Sequence, residues 1–461
     1  MPKLDFLVLV LYILLSVLAT SFFKPAHKWK GLLVTSLLFY TYLTGMQVLV
    51  IMGFILMVYC LAFVMKKYPA RSWLVITLTL APLLVLKLTD SGLHFLQENP
   101  GGQVFVNQEK FRALFQFIGL SYFTFNALGY LIDVKRRYIQ PEDNLAMLAL
   151  YLLYFPCAVS GPLHRAKYLM GQFRQARVTD KGMAKGLRLI LLGIFKQLIL
   201  AQRASWLLQV LLASNLGGIC FLFAGLVFFI YLYLNFSSFI DIFQGVSKIF
   251  NVELKDNFRN RIYLAHSRQD FWSGWHITLN EWFRDYFFFP LAKSDRSRRY
   301  TNVILLATFL LIAMWHGLTN VFLVWGVLNA CWIIIEKKVR VQQLPWPAFR
   351  RKAGVLYHLF FASLLALVFI SPDLPSLYNR LLMTDAAFPD NFFRENLNTL
   401  TVLAAGFLVL DWLYARAGQL KFDDYLDNRP VFFRWGVYIF LALAIVSIGV
   451  IDAINNYYTQ F

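Results

Sequence analysis

The chain has 461 residues, 59% of them hydrophobic and only 15% charged, against about 45–50% and about 25% in a soluble globular domain. Apolar runs of roughly the 17–25 residues that a helix needs to cross a bilayer recur along it, which excludes a soluble domain and implies an all-α polytopic membrane protein. The formal net charge of +19 is carried in short clusters rather than on a basic domain; that pattern argues for membrane orientation and lipid headgroups as partners, and against nucleic acid.

Taken in chain order, residues 4–22 are expected to form a retained first membrane helix. The run is too long for a signal-peptide core, no small-residue cleavage site follows, and "FKPAHKWK" comes next. Further helices are expected near 31–46, 48–65, 72–90, 111–134 and 143–158, then at 186–213, 218–235 and 236–250. The last set falls near 301–315, 318–336, 355–371, 398–415 and 433–452, for roughly 11–14 helices in all. Basic clusters punctuate them: Lys24, Lys28 and Lys30; Lys66, Lys67 and Arg71; Lys135, Arg136 and Arg137; Arg296, Arg298 and Arg299; Lys337, Lys338 and Arg340. Cytoplasmic loops carry such an excess. The expected topology therefore puts these loops inside, 91–110 and 372–397 outside, and both termini outside the cytoplasm. The whole chain is expected to be one polytopic domain: N-terminal helices 1–70, a catalytic core 71–340 and C-terminal helices 341–461.

The stretch 159–300 resists this division. Segments such as "KDNFRNRIYLAHSRQDFWSGWH" are too long for turns and too aromatic for linkers. Irregular backbone at membrane depth is tolerated where protein or water surrounds it, so re-entrant or interfacial helices around a central catalytic tunnel are expected. The four cysteines (Cys60, Cys157, Cys220, Cys331) read as small buried hydrophobes, and nothing has metal-ligand spacing. Phosphate-loop, dinucleotide, nucleophile-elbow and zinc-protease motifs are absent.

Three groups of polar residues stand out. His316 lies inside "LLATFLLIAMWHGLTNVFLVWG", beside Trp315. An ionisable residue in a membrane span marks a functional site by default; the alternative is a neutral imidazole hydrogen-bonded to a neighbouring helix. In "DFWSGWHITLNEWFRDYFFFPL", His276, Asn280, Glu281, Arg284 and Asp285 sit among aromatic residues including Trp275. On a helix His276 and Asn280 share a face, as do Glu281 and Asp285. An interfacial amphipathic helix explains the aromatics there but not the mixed polar set. Third, Asn235, Ser237, Ser238, Asp241 and Gln244 fall in one apolar window, and Ser121, Thr124, Asn126 and Asp133 in another. Serine and threonine can be glue between helices. Asp241 needs a cation or a water-filled cavity, and Lys196 is a second charge in an apolar run.

These pieces together resemble the membrane-bound O-acyltransferase (MBOAT) family. The resemblance rests on "FWSGWHITLNEWFRDYFFFPL", "MWHGLTNVFLVWG", "GLSYFTFNALGYLIDV", "FPCAVSGPLHR", "LNFSSFIDIFQGVSKIFNVEL" with "NFRNRIY", and the closing "RWGVYIFLALAIVSIGVIDAINNYYTQF". It runs from about residue 70 to the C-terminus and looks like the bacterial branch of alginate and peptidoglycan O-acetyltransferases and the teichoic-acid D-alanyl-transferring relative. Where that family has "FSGYSD", this chain has "FSSFID", with Ser238 at the glycine and Asp241 at the acidic position.

The resemblance implies that His316 is the catalytic base and that His276 faces the same tunnel; Trp315, Trp275, Asn280, Arg284, Asp285 and Asp241 are expected to line it. It implies an acyl group, acetyl before D-alanyl, taken from acetyl-CoA or an acyl-phosphopantetheine carrier protein on the cytoplasmic side, with no permanently bound cofactor. The acceptor is a hydroxyl of a cell-envelope polysaccharide, or of a secreted or membrane-anchored SGNH-type partner that completes the transfer. Rival readings are a lipid or glycan transporter, which would move substrate without acyl chemistry, and a lipid-modifying acyltransferase of the same family.

Overall fold

The structure is a computed structural model that describes residues 6–98, 119–158, 161–214, 216–294, 299–339, 347–383, 387–388 and 390–450. Among these residues there is no β-strand, only an isolated antiparallel bridge between Phe258 and Trp275. Seven helical stretches are long and apolar enough to cross a membrane, and two shorter apolar helices, Val10–Ser21 and Thr301–His316, accompany them. Of the segment expected outside at 91–110, residues 91–98 continue helix Ser72–Glu98, and of the loop expected at 337–352, residues 337–339 and 347–352 belong to helices Asn320–Val339 and Pro347–Ile370; residues 99–110, the start of the 111–134 helix, 340–346 and the C-terminus lie outside the described residues.

Most expected helices are present within a few residues, and two differ in kind. The pair expected at 218–235 and 236–250 is one helix of 32 residues, Gly218–Ile249. The polar "NFSS" at the expected boundary is absorbed locally: the Ser238 hydroxyl lies 2.7 Å from Gln197 Oε1 and 2.6 Å from the Asn235 carbonyl, and Asn235 Nδ2 donates to Gln197 at 3.3 Å. At 1.5 Å per residue this helix is about 48 Å long, well beyond the roughly 30 Å of hydrocarbon it has to cross. The helix expected at 186–213 starts earlier, as Asp180–Phe195. It continues through a π-turn, Lys196–Ala201, into Gln202–Ala213. The 159–300 stretch supplies the short elements that its composition suggested: Ala166–Phe173, Arg268–Gly274, Ile277–Phe283 and Phe289–Ser294. Each is far too short to span a bilayer.

The chain divides into two compact units. Among the described residues the first comprises those of 6–187 and 243–255. Its centre is aromatic: Phe155 sits 4.4 Å from the Tyr12 ring and 3.9 Å from the Phe39 ring. The Tyr154 hydroxyl donates to Ser247 Oγ at 3.0 Å. Asn144 starts helix Leu145–Leu153 by accepting the Ala146 and Met147 N–H groups, which satisfies donors the helix cannot satisfy itself. Ser121, Thr124, Asn126 and Asp133 are all buried in helix Leu120–Lys135, and Thr124 donates back to the Leu120 carbonyl at 2.8 Å.

The second unit comprises 188–242 and 256–452. Helices Thr301–His316 and Asn320–Val339 form its tightest hairpin. A Cβ on Gly326 would stand 2.8 Å from both the Ala313 methyl and the Phe309 carbonyl, so only glycine permits this approach; small residues allow close helix packing in membranes for the same reason. Cys60 and Cys331 lie on exposed helix faces and Cys220 is half-buried, so burial of all four cysteines holds only for Cys157.

Candidate active site

All of the histidine chemistry expected from the sequence falls in the second unit. His316 is the last residue of helix Thr301–His316, and His276 immediately precedes helix Ile277–Phe283. Both are buried, at 7% and 2% exposure. Trp315 stands between them, its ring centroid 6.3 Å from His276 and 4.5 Å from His316.

His316 is gripped by rings on its other sides: Phe369 at 4.9 Å, Trp325 at 5.6 Å and Phe322, stacked, at 5.9 Å. The turn that follows is shaped for this. Gly317 is extended, and a Cβ there would lie 2.7 Å from the Phe322 ring, pushing that ring off the imidazole.

The His276 backbone is left-handed, with φ 44° and ψ 52°, a region that costs a non-glycine residue of the order of 1 kcal/mol or more. The surrounding chain imposes it. Asn257 accepts the Thr278 N–H at 3.1 Å and its hydroxyl at 2.6 Å, and the Asn257 carbonyl accepts the Ile277 N–H. The Arg259 N–H donates to the Gly274 carbonyl. Asn280 reaches back with its amide to the carbonyls of Trp272 at 2.9 Å and Trp275 at 2.6 Å. Residues 257–259 thus clamp 274–278 on one side and Asn280 closes the other. The imidazole is left edge-on to Phe236, 4.8 Å away. Trp275, one residue back, stacks on Phe271 and Phe229.

The remaining predicted residues separate into two groups. Asn280 acts on the backbone around His276. Arg284 and Asp285 pair with each other at 2.8 Å, with Glu281 3.8 Å from the guanidinium, and their side chains are 48% and 31% exposed. They form a surface ion cluster at the π-turn Arg284–Phe288, in contrast with the buried histidines. Asp241 meets the cation it needs: Lys196 Nζ lies 2.6 Å away, itself fully buried and 3.3 Å from the Tyr414 hydroxyl. That pair belongs to a polar cluster with the neighbouring Gln197–Asn235–Ser238 network.

Sequence reasoning missed a third cluster. Arg268 is 3% exposed, and its guanidinium lies over the Phe271 ring at 4.5 Å while donating to Asn329 at 2.7 Å. Burial pushes it down to about 10, against the pull of Glu336. Glu336 accepts the Arg268 and Gln269 backbone N–H groups and the Tyr357 hydroxyl. His358, fully buried, packs on Phe271 at 5.1 Å and Phe229 at 5.8 Å. The signal was available: "LYHLFFASLLALVFI" puts an imidazole into an apolar run much as "AMWHG" does. Among the described residues no three His, Cys, Asp or Glu side chains are placed to hold a metal ion.

Residues 105–371, more than half of the chain, match the model of MBOAT, the membrane-bound O-acyltransferase family. The chain is 28% identical over 349 residues to the "Probable alginate O-acetylase AlgI" of Pseudomonas aeruginosa, covering 73% of this chain and 66% of that protein. It is 28% identical to the peptidoglycan O-acetyltransferase of Helicobacter pylori, over 48% of this chain and 47% of that one. With the teichoic acid D-alanyltransferase of Streptococcus thermophilus it shares 27% identity over 53% of this chain and 62% of the relative. The chain thus spans about half to two thirds of the length of these curated relatives.

Proposed function

The chain belongs to the membrane-bound O-acyltransferase family, and from that premise we propose that it is an acyltransferase moving an acetyl group from a cytoplasmic thioester to a hydroxyl outside the cytoplasm, on an envelope polysaccharide or on a partner protein that completes the transfer. The observation that carries this reading is Trp315 held between two buried histidines, His276 and His316.

An alcohol is a poor nucleophile at neutral pH, and a neutral imidazole is the side chain able to take its proton there. His316 accepts the hydroxyl proton as the oxygen attacks the thioester carbonyl. The new C–O bond forms, the C–S bond breaks, and the leaving thiolate takes the proton back from the imidazolium. His276, held in place by Asn257 and Asn280, is the group that faces the carbonyl oxygen as charge develops on it. Fixed donors aimed at such an oxygen are worth a few kcal/mol.

The donor is acetyl-CoA or an acyl-phosphopantetheine carrier protein, and the protein sits in the cytoplasmic membrane with the basic loops inside. The alginate and peptidoglycan O-acetylase relatives favour acetyl; the D-alanyltransferase relative supports D-alanyl transfer to a teichoic acid or similar polymer as the second reading. The test is His316→Ala in membranes supplied with labelled acetyl and D-alanyl thioesters. Loss of about 10²–10⁴-fold in transfer to the polymer is expected. Undiminished transfer would remove His316 from the reaction, and transport without a mass change on any acceptor would favour a transporter.

A further inference from the structure

Arg268 and His358 make up a polar patch whose capacity is unspent. Arg268 Nη2 donates to Asn329, yet Nε and Nη1 have no hydrogen-bond partner among the described residues; the same holds for both ring nitrogens of the fully buried His358. No carboxylate in the described chain lies within ion-pair distance of the guanidinium, because Glu336 spends its oxygens on backbone N–H groups and on Tyr357. Both side chains pack on the same ring, Phe271, at 4.5 and 5.1 Å. A buried donor that goes unmet is costly, so a pair of such side chains on one ring calls for a ligand with matching acceptors.

Two aromatic paths link this patch to the histidine pair. From Arg268 the path runs to Trp272 at 5.9 Å, Trp325 at 5.9 Å and His316 at 5.6 Å. From His358 it runs through Phe271 to Trp275, next in the chain to His276. The patch also lies at one particular end of the helices. Glu336 adjoins Lys337 and Lys338, and His358 precedes Phe369, the ring against His316, by 11 residues. Along a helix that is about 16 Å. A basic flank of this kind marks the cytoplasmic end, the side from which a thioester donor arrives.

We propose that Arg268 and His358 are binding residues for the amide-bearing arm of the thioester donor, the guanidinium donating to an amide carbonyl and the imidazole pairing with an amide of the same arm, so that the thioester carbon reaches the histidine pair. The proposal rests on the acyl-transfer reading above. The phosphopantetheine arm is common to coenzyme A and to acyl carrier proteins, so the patch reads the arm and not its carrier.

The test uses the full chain in detergent and non-transferable acetonyl thioethers of coenzyme A and of a phosphopantetheine-loaded carrier protein. Whichever form the wild type binds identifies the source. Arg268→Gln and His358→Gln should each weaken binding of that form by about tenfold or more, the scale of a lost hydrogen bond to a charged or buried group. The wild-type preference for the full arm over the minimal thioester S-acetyl-N-acetylcysteamine, as kcat/KM, should shrink in parallel. Unchanged donor binding in folded variants, or a raised KM for the acceptor alone, overturns the assignment. If neither variant folds, the wild type still decides: affinity should step up when the second amide is added to a series of truncated thioethers, and a flat series overturns the proposal. Failure of the wild type to bind either full-length form would sink the donor reading itself, which distinguishes that failure from this one.

Discussion

Lys196 and Asp241 show what a buried charge demands of its neighbours. The ammonium is fully buried and its carboxylate partner lies 2.6 Å away, flanked in sequence by Phe239, Ile240, Ile242 and Phe243. The attraction only offsets the cost of leaving water, so the pair as a whole adds little, whereas removing one partner strands the other. Asp241→Asn is therefore expected to lower stability by about 3–5 kcal/mol, while Lys196→Met combined with Asp241→Leu recovers most of the loss; thermal unfolding in detergent checks both. Equal stability of the single and double variants would mean that the ion pair is not coupled. The same logic separates Asp241 from Arg284 and Asp285, whose ion cluster is part-exposed and contributes about 0–1 kcal/mol. In the loop after helix Gly218–Ile249, the Arg261 guanidinium is pushed up by its hydrogen bond to Asp411, and Tyr263 donates to the same carboxylate at 2.6 Å.

At the scale of elements, the hairpin of Thr301–His316 and Asn320–Val339 decides where His316 sits. Gly326 lets the helices touch and Gly317 leaves Phe322 flat against the imidazole. Gly326→Val adds a Cβ that would itself stand 2.8 Å from the Ala313 methyl and the Phe309 carbonyl, and two methyl groups beyond it. An overpacking cost of about 1–3 kcal/mol is expected, together with a loss of acyl transfer larger than the stability change explains, because the hairpin carries His316 with it. Assays at a temperature well below the unfolding transition separate the two effects. The long helix Gly218–Ile249 teaches a complementary point. It runs unbroken through the expected boundary at 235–236, where Gln197 and the helix's own carbonyls take up the hydroxyl and amide groups of its polar run.

At the scale of the molecule, the net charge of +19 and the gathering of basic residues in short segments are the basis of the proposed orientation, with those segments inside. In a background lacking the four native cysteines, Lys24→Cys should react with an impermeant maleimide only after cells are permeabilised, and Arg394→Cys should react in intact cells. Reversed labelling would invert the topology and with it the side from which the donor enters.

The sequence by itself determined the all-helical membrane class and most helix positions, and it singled out the two histidines proposed for the site, since apolar run length and a costly ionisable residue in an apolar run are local signals. The family, too, was legible from its "WHITL…WFRDY" and "MWHG" segments. What only the tertiary structure decided is which polar residues meet. It gave Asp241 to Lys196, left Arg284 and Asp285 part-exposed at the surface, and set Asn257 and Asn280 to hold His276 in a left-handed turn. It also brought Arg268 and His358, 90 positions apart, onto one phenylalanine ring. The physical reason is that a buried polar group is stable only with a partner, and in a helical membrane protein that partner commonly comes from another helix, at a sequence distance that no local pattern records.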